Sequence, residues 1–302
     1  MGTPDFAVPS LAALLDGGCT VAAVVTAPDK PRGRGQQLSP TPVKTLAMSR
    51  GLRVLHPASL REESFVREIS EILPDLIVVV AFRILPPEIF TLPRLGSFNL
   101  HASLLPKYRG AAPINWAIIN GETETGVTTF LLQEKVDTGN VLLQARIPIL
   151  PMDDAGTVHD RLADLGAGVV LETVRRLEQG KAVPRAQEDL LASPAPKIFR
   201  DDCRIDWDQS ALSIHNRIRG LSPHPTAFTV HGGRVIKLYK SELVSRPAGQ
   251  PPGTTVIGDQ HLAVATADGL LSITELQQEG RKRMGVAEFL RGYQLTSGDR
   301  FG

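Results

Sequence analysis

The sequence predicts an α/β protein with a doubly wound, mostly parallel sheet, followed by a smaller β-barrel domain. In the first half of the chain, short aliphatic runs alternate with amphipathic segments, which is the order of strands and helices in a parallel sheet. After about residue 200 the pattern changes to short alternating runs separated by glycine-rich turns, which is typical of small antiparallel barrels. Ligands of doubly wound sheets bind beyond the carboxyl ends of the strands, so functional residues are expected there.

The elements of the first half follow in regular order. Continuous aliphatic runs predict strands over residues 21–25, 76–82, 98–101 and 127–132. Amphipathic spacing predicts the intervening helices over residues 4–15, 41–50, 60–72 and 113–120. A long helical pattern over residues 154–179 ends at Gly180, because glycine commonly terminates helices.

Residues 183–200 are rich in proline and alanine and have no clear period, which predicts a linker. We therefore predict a first domain over residues 1–182 and a second over residues 201–302. The second domain is expected to open with a helix over residues 210–220. Its strands are predicted over residues 227–230, 235–238, 254–257, 262–266 and 270–276.

Composition excludes several classes of protein. The 302 residues are 42% hydrophobic and carry a net charge of +1, so a core can form and any polyanion must be bound through local basic patches. Cys19 and Cys203 lie far apart and show no metal-ligand or disulfide spacing, which indicates a reducing, cytoplasmic compartment and no bound metal. Neither a membrane-spanning run nor a signal sequence is evident.

Asn99 and His101 lie two residues apart at the end of an apolar strand, so their side chains project from the same face. Asp137 follows the next apolar run and is expected in a loop near the same sheet edge. An amide, an imidazole and a carboxylate suit acyl transfer to an amine, because they can stabilise an oxyanion and move a proton. A structural histidine and an ordinary Asp-Thr-Gly turn are the alternative interpretations of these residues.

The segment from Pro28 to Lys44 is strongly basic. It contains Lys30, Arg32, Arg34 and Lys44 against the single acid Asp29. Its two glycines and four prolines predict a loop that forms no regular element, either solvated or used to bind phosphate groups. A second phosphate-binding surface is predicted from basic residues of the second domain, namely Arg217, Arg219, Lys237, Lys240, Arg281, Lys282 and Arg283.

Several motifs together resemble the methionyl-tRNA formyltransferases, within the folate-dependent formyltransferases, over nearly the whole chain. The Asn-x-His pair, the Ser103–Pro106 turn and Asp137-Thr-Gly139 are shared by folate-dependent formyltransferases in general. The match also includes Pro28–Gly35 and Glu124-Thr-Gly-Val-Thr-Thr129. The features that favour an aminoacyl-tRNA acceptor are the Gly2-Thr-Pro-Asp-Phe6 opening, the Arg32-Gly-Arg-Gly35 loop, Arg109-Gly-Ala-Ala-Pro-Ile114 and the barrel-like tail.

The resemblance implies a Rossmann-like catalytic domain, an OB-like tRNA-binding domain, and transfer of the formyl group of 10-formyltetrahydrofolate to the α-amino group of methionyl initiator tRNA. It implies that Asn99 and His101 polarise the formyl oxygen, while Asp137 orients His101 and helps remove protons from the amine. Neither a metal, a membrane nor an obligate protein partner is implied. The folate site would be lined by Ser103, Leu104, Leu105 and Pro106, and tRNA would be contacted by Lys30, Arg32, Arg34 and Lys44.

Two alternatives stay open on the sequence: a formyltransferase for a small amine, such as glycinamide ribonucleotide or an amino sugar nucleotide, and a non-catalytic RNA-binding derivative. Two departures from the family pattern carry expectations. Family members usually have a short apolar strand before the Met-Gly-Thr-Pro motif, so we expect the sheet of this chain to lack its first strand. Residues 81–86 also differ from the pattern near the folate pocket, which affects the affinity for the donor.

Overall fold

The computed structural model describes residues 1–32 and 37–302. The helices are α1 (Val8–Asp16), α2 (Pro42–Ser49), α3 (Glu63–Ile72), α4 (Pro87–Phe90), α5 (Pro113–Ile119), α6 (Ala155–Glu178), α7 (Ala211–Leu221) and α8 (Val286–Gly292). The strands of the first half are β1 (Val24–Val25), β2 (Lys30–Arg32), β3 (Gln37–Ser39), β4 (Val54–Leu55), β5 (Ile77–Val80), β6 (Ser97–His101), β7 (Arg109–Gly110), β8 (Glu124–Leu131) and β9 (Val141–Pro148). The remaining strands are β10 (Pro194–Ala195), β11 (Ala227–His231), β12 (Arg234–Val244), β13 (Thr255–Ile257), β14 (Leu262–Ala265), β15 (Leu270–Gln278) and β16 (Met284–Gly285).

The chain divides into two compact units that are discontinuous in sequence. The first contains residues 1–110, 125–147 and 159–195, and the second contains residues 111–124, 148–158 and 196–302. The predicted linker is therefore shared between the units. Its first part pairs within the first unit, where β10 adds in parallel to β7 and Arg185 pairs with Val141. The domain boundary drawn from the sequence stays a prediction.

The sheet that carries the predicted site has the strand order β5-β6-β8-β9. β5 and β6 run parallel with Val79 opposite Asn99, and β8 runs antiparallel to β6 with Thr128 opposite His101. β1 and β4 form a further parallel pair. The predicted α/β fold class is confirmed. β9 is absent from the predicted strands, although half-buried and exposed residues alternate along it from Leu143 to Pro148.

Met1 and Gly2 lie between β1 and β5. The Met1 carbonyl accepts from the Val80 N–H at 2.9 Å, and the Gly2 N–H donates to the Val25 carbonyl at 3.0 Å. The Met1 amine donates to the Val78 carbonyl at 2.6 Å. Beside these two residues, a cavity of about 660 Å³ separates the two strands. The expected lack of a first strand stays a prediction.

The basic segment is more regular than its composition predicts. β2 and β3 form an antiparallel hairpin with Lys30 opposite Ser39 and Pro31 opposite Leu38. Proline is accepted in such a two-stranded ribbon, because it can lie where no N–H is needed. Lys44 lies on α2, whose first turn is capped by the Thr41 hydroxyl. The prediction of a segment without regular elements is therefore wrong for the described residues.

The second unit contains an antiparallel sheet of order β11-β12-β15-β14-β13, with β16 added to β15. α7 begins at Ala211 after the Ser210 cap, whose hydroxyl accepts from the Ser213 N–H at 3.1 Å. Its apolar side chains Ile214 and Ile218 are buried with strand residues of the sheet. The sequence predicts these five strands and this helix, whereas α8 has no counterpart among the predicted elements.

Candidate active site

His101 is the last residue of β6, and Asn99 lies two residues before it on the same face. β6 is held on both edges, by β5 and by β8, so both side chains stand on a rigid part of the sheet. His101 is only 6% exposed, whereas Asn99 is half-buried. The carboxyl end of this strand therefore presents an amide and an imidazole side by side.

The His101 ring is fixed by the backbone of the following turn. Its Nε2 atom is 2.7 Å from the Tyr108 carbonyl oxygen, and its edge meets the Phe130 ring at a centroid distance of 6.5 Å. A carbonyl oxygen can only accept, so Nε2 carries the hydrogen. In the neutral ring Nδ1 is then the basic nitrogen. Nδ1 lies 3.9 Å from Asp137 Oδ2, which brings the acid and the imidazole together as predicted.

The Asp137 side chain is 10% exposed and is anchored by the backbone of a different segment. Its Oδ2 atom accepts from the Gly110 N–H at 2.9 Å. Asp137 has φ +55°, in the left-handed region that Asp and Asn enter more readily than most residues. Gly110 has φ +130°, and a Cβ there would stand 2.5 Å from the Ala195 carbonyl oxygen, so only glycine can supply this N–H.

The Asp137–Gly139 loop packs directly against the end of β8. A Cβ at Gly139 would stand 1.6 Å from the Leu131 carbonyl oxygen, so glycine is required for this close approach. Gln187 donates from Nε2 to the carbonyl oxygens of Asp137 and Gly139 at 2.9 and 2.8 Å. Gln187 is missed by the sequence pattern, because it lies in an aperiodic segment fifty residues from its partners.

The Ser103–Pro106 turn is rigid, as predicted. The Leu105 N–H donates to Thr128 Oγ1 at 3.1 Å, and that hydroxyl donates to the Ser103 carbonyl at 2.7 Å. Gln144 donates to the Leu105 carbonyl at 2.8 Å. Ser103 and Leu105 are buried, while Leu104 and Pro106 are half-buried. Leu105 and Pro106 line a cavity of about 500 Å³, whereas Asn99, His101 and Asp137 do not.

The predicted phosphate-binding residues have different environments. Lys30 is exposed on β2. Lys44 is 16% exposed, and its Nζ lies 2.7 Å from Asp29 Oδ2, so its charge is balanced within the chain. Arg32 belongs to β2, and Arg34 lies outside the described residues.

In the second unit, several of the predicted contacts also bond within the chain. Arg219 donates to the Asp153 carbonyl at 3.2 Å, and burial lowers its pKa. Arg217 donates to the Asp202 carbonyl. Arg283 bonds to Glu275 at 2.5 and 2.8 Å, and this pairing lowers the pKa of that carboxyl. Lys240 and Lys282 pair with Glu275 and Glu288, while Lys237 and Arg281 are exposed.

Two family models match the chain. The first, described as formyl transferase, covers residues 1–174, and the second, described as formyl transferase, C-terminal domain, covers residues 197–294. Asn99, His101 and Asp137 all lie within the first match. The chain belongs to the formyl transferase family. The resemblance inferred from its motifs is thereby confirmed.

Individual relatives agree with this assignment. This formyl transferase is 49% identical over 300 residues to the methionyl-tRNA formyltransferase of Caldanaerobacter subterraneus subsp. tengcongensis, covering 99% of this chain and 97% of the relative. It is 48% identical to the methionyl-tRNA formyltransferase of Bacteroides thetaiotaomicron, covering 99% and 96%. A crystal structure of an N-formyltransferase from Helicobacter canadensis, in complex with folinic acid and dTDP-3-aminofucose, shares the fold with a TM-score of 0.69. That protein is 23% identical, with 92% of this chain and 97% of the other covered.

Residues 1–32 and 37–302 bring together no group of three His, Cys, Asp or Glu side chains that could hold a metal ion. None of the helices that these residues form is long and apolar enough to cross a membrane.

Proposed function

We propose that this formyl transferase moves the formyl group of 10-formyltetrahydrofolate to the α-amino group of methionine esterified to initiator tRNA. The observation that carries the proposal is identity of 48 to 49% over the full length to relatives named methionyl-tRNA formyltransferase. The meeting of His101 and Asp137 beyond the end of β6, with Asn99 on the same strand face, supports the same chemistry.

The reaction begins when the neutral amine attacks the formyl carbon and converts the formyl oxygen into an oxyanion. Asn99 donates a hydrogen bond to this oxygen from its carboxamide. His101 is held by its Nε2–H on the Tyr108 carbonyl, so Nδ1 faces the reacting atoms and stabilises the oxyanion once it is protonated. One preorganised donor of this kind is worth about 3 to 4 kcal/mol of activation free energy.

Asp137 serves the same reaction in two ways. Its carboxylate lies 3.9 Å from His101 Nδ1, so its negative charge stands beside the ring nitrogen that faces the reacting atoms. Because Oδ2 is anchored by the Gly110 N–H, the carboxylate is also fixed where it can receive the proton that the attacking amine loses. The tetrahedral intermediate then collapses: the bond from the formyl carbon to the folate nitrogen breaks, and this nitrogen leaves as a neutral amine after Asp137 returns to it the proton that the attacking amine lost.

The two substrates are assigned to different surfaces. The Ser103–Pro106 turn forms a wall of the folate site, and its internal hydrogen bonds keep that wall rigid. Lys30 and Arg32 of β2, together with Arg34, contact the phosphates of the tRNA acceptor stem. The Lys44–Asp29 ion pair ties α2 to the segment that leads into the hairpin, so Lys44 supports these contacts from its base.

The test is an incubation with 10-formyltetrahydrofolate and, in parallel, methionyl initiator tRNA, glycinamide ribonucleotide or an amino sugar nucleotide. Formylmethionyl-tRNA is expected as the main product, and turnover should decrease as salt concentration rises. Faster formylation of either small amine would overturn the assigned acceptor. Tight tRNA binding without formylation of any acceptor would instead indicate the non-catalytic alternative.

A further inference from the structure

We infer that Gln187 is a positioning residue for Asp137, and the inference rests on the proposed function. Gln187 lies between the two segments that the family models match, residues 1–174 and 197–294. Its own segment has the composition of a linker. The contacts of its side chain nevertheless connect it to the acid of the candidate site.

The Gln187 carboxamide uses both of its ends. Nε2 donates to the Asp137 and Gly139 carbonyl oxygens at 2.9 and 2.8 Å, so it bonds to the backbone on both sides of Thr138. Oε1 accepts from Arg109 Nε at 3.1 Å and from a second guanidinium nitrogen at 2.8 Å. Only an amide offers two donors at one end and an acceptor at the other, so glutamate cannot replace it.

These bonds close a ring around Asp137. Arg109 holds Gln187, Gln187 holds the Asp137 backbone, and the Asp137 carboxylate accepts from the N–H of Gly110, which is the next residue after Arg109. Asp137 is therefore fixed at its side chain by Gly110 and at its backbone by Gln187, which belongs to the segment of residues 187–193. This double attachment keeps a non-glycine residue at φ +55° and determines where its carboxylate stands.

The same segment also reaches His101. Ser193 bonds to Tyr108 and Arg109: its Oγ accepts from the Tyr108 N–H at 2.9 Å, and its carbonyl accepts from the Arg109 N–H at 2.9 Å. The Tyr108 carbonyl is the partner of His101 Nε2. Residues 187–193 therefore support both the acid and the imidazole, and they help to fix the 3.9 Å between them.

Replacing Gln187 with alanine should lower kcat by about 10- to 100-fold, the range expected when a reacting group moves by up to 1 Å. The KM for the tRNA should change less than twofold, because Gln187 touches neither substrate in this scheme. Gln187→Glu retains an acceptor for Arg109 but loses both donors to the loop. Gln187→Glu should therefore be as slow as Gln187→Ala. Glu188→Ala, at the exposed neighbouring residue, is the matched control and should keep wild-type turnover.

A double-mutant cycle separates positioning from general damage. If Gln187 acts through Asp137, Gln187→Ala should slow single-turnover formyl transfer little further in an Asp137→Asn background. The same fold loss in both backgrounds, or near-native kcat of Gln187→Ala in the otherwise native chain, would overturn the inference.

Amide hydrogen exchange tests the same point without any turnover. Exchange of the Gly110 N–H should accelerate at least tenfold in Gln187→Ala and remain unchanged in Glu188→Ala. The Ile205 N–H, bonded to Phe228 in the other unit, reports general destabilisation. Unchanged Gly110 exchange would contradict the positioning role, whereas absence of formyl transfer by the native chain would contradict only the proposed function.

Discussion

His101 Nδ1 stands 3.9 Å from Asp137 Oδ2, so the acid and the imidazole lie side by side just beyond hydrogen-bond distance. The other ring nitrogen is held at 2.7 Å by the Tyr108 carbonyl. The imidazole is thus fixed on one side and left with a gap on the side of the acid. A group that contacts both atoms meets the imidazole that stabilises the oxyanion and the carboxylate that receives the proton.

Replacing His101 with alanine should slow formyl transfer by two to three powers of ten, because one oxyanion donor is worth about 3 to 4 kcal/mol. The melting temperature should decrease only slightly, since the strand pairing of β6 stays intact while the bond to the Tyr108 carbonyl is lost. Steady-state kinetics and thermal melts check both statements. His56→Ala, at an exposed histidine, is the control, and near-native turnover of His101→Ala would remove His101 from the mechanism.

Gly139→Ala should prevent the Asp137 loop from forming, because the new Cβ would stand 1.6 Å from the Leu131 carbonyl oxygen. We expect a loss of more than about 3 kcal/mol in the free energy of unfolding, since backbone must move to relieve the overlap. Gly168→Ala is the matched control, because its Cβ would meet nothing within 4 Å on α6. It should stabilise the protein by about 0.5 to 1 kcal/mol, and equal melting curves for the two variants would contradict the loop geometry.

In a protein whose chain starts at Met1, the buried amine of this residue makes the free energy of unfolding depend on pH. Burial lowers its pKa from 8.0 to about 5, so between these values the unfolded chain binds a proton that the folded chain does not. Stability should therefore rise with pH from about 5 to 8, by an amount on the order of 4 kcal/mol for a shift of three units. Denaturant titrations across this range measure the slope.

The lowered pKa of the half-buried His215 also makes stability rise with pH, so the contribution of the Met1 amine has to be separated from it. Acetylation of the Met1 nitrogen removes its titration, and the cavity beside it has room for the acetyl group. The free energy of unfolding should therefore depend much less on pH in the acetylated protein than in the native protein. A slope that acetylation leaves unchanged would show that the amine is not responsible.

The cavity between β1 and β5 should accept an added strand. An extension of five alternating apolar residues, fused before Met1, would enter the cavity as a strand parallel to β1 and β5. Gly2 already bridges Val80 of β5 in parallel. We expect a rise of several degrees in melting temperature, together with loss of the pH dependence, because the amine becomes a peptide N–H. An equally long extension with proline at alternate positions cannot donate to the ladder and should stabilise little. Equal melting temperatures for the two fusions would exclude strand addition.

Lys30 and Lys44 should behave differently although both are basic residues of one segment. Lys30→Ala should weaken tRNA binding and reduce the slope of log affinity against log salt by about 1, as expected for one lost phosphate contact. Lys44→Ala removes the partner of Asp29, so its main effect should be a lower melting temperature rather than weaker tRNA binding. Binding titrations at several salt concentrations and melts distinguish the two, and a salt slope that is unchanged in Lys30→Ala would remove Lys30 from the tRNA surface.

The fold class and the central part of the site could be predicted from the sequence, because both depend on neighbours along the chain. The spacing of Asn99 and His101 fixes a shared strand face, and the aliphatic runs fix which segments become strands. The pairing of β2 with β3 could not be predicted, because glycine and proline composition does not tell which backbone groups of the two segments bond to each other.

Only the tertiary structure determines the distances between segments that are remote in sequence. Local pattern placed Asp137 near the sheet edge, but its anchoring by Gly110, 27 residues away, and by Gln187, 50 residues away, follows from how the chain returns to the same point. Likewise, the ion pair between Lys44 and Asp29 could not be predicted from the positions of these residues in the sequence. Periodicity reports which face of an element is buried, whereas contacts between distant residues depend on the packing of whole elements.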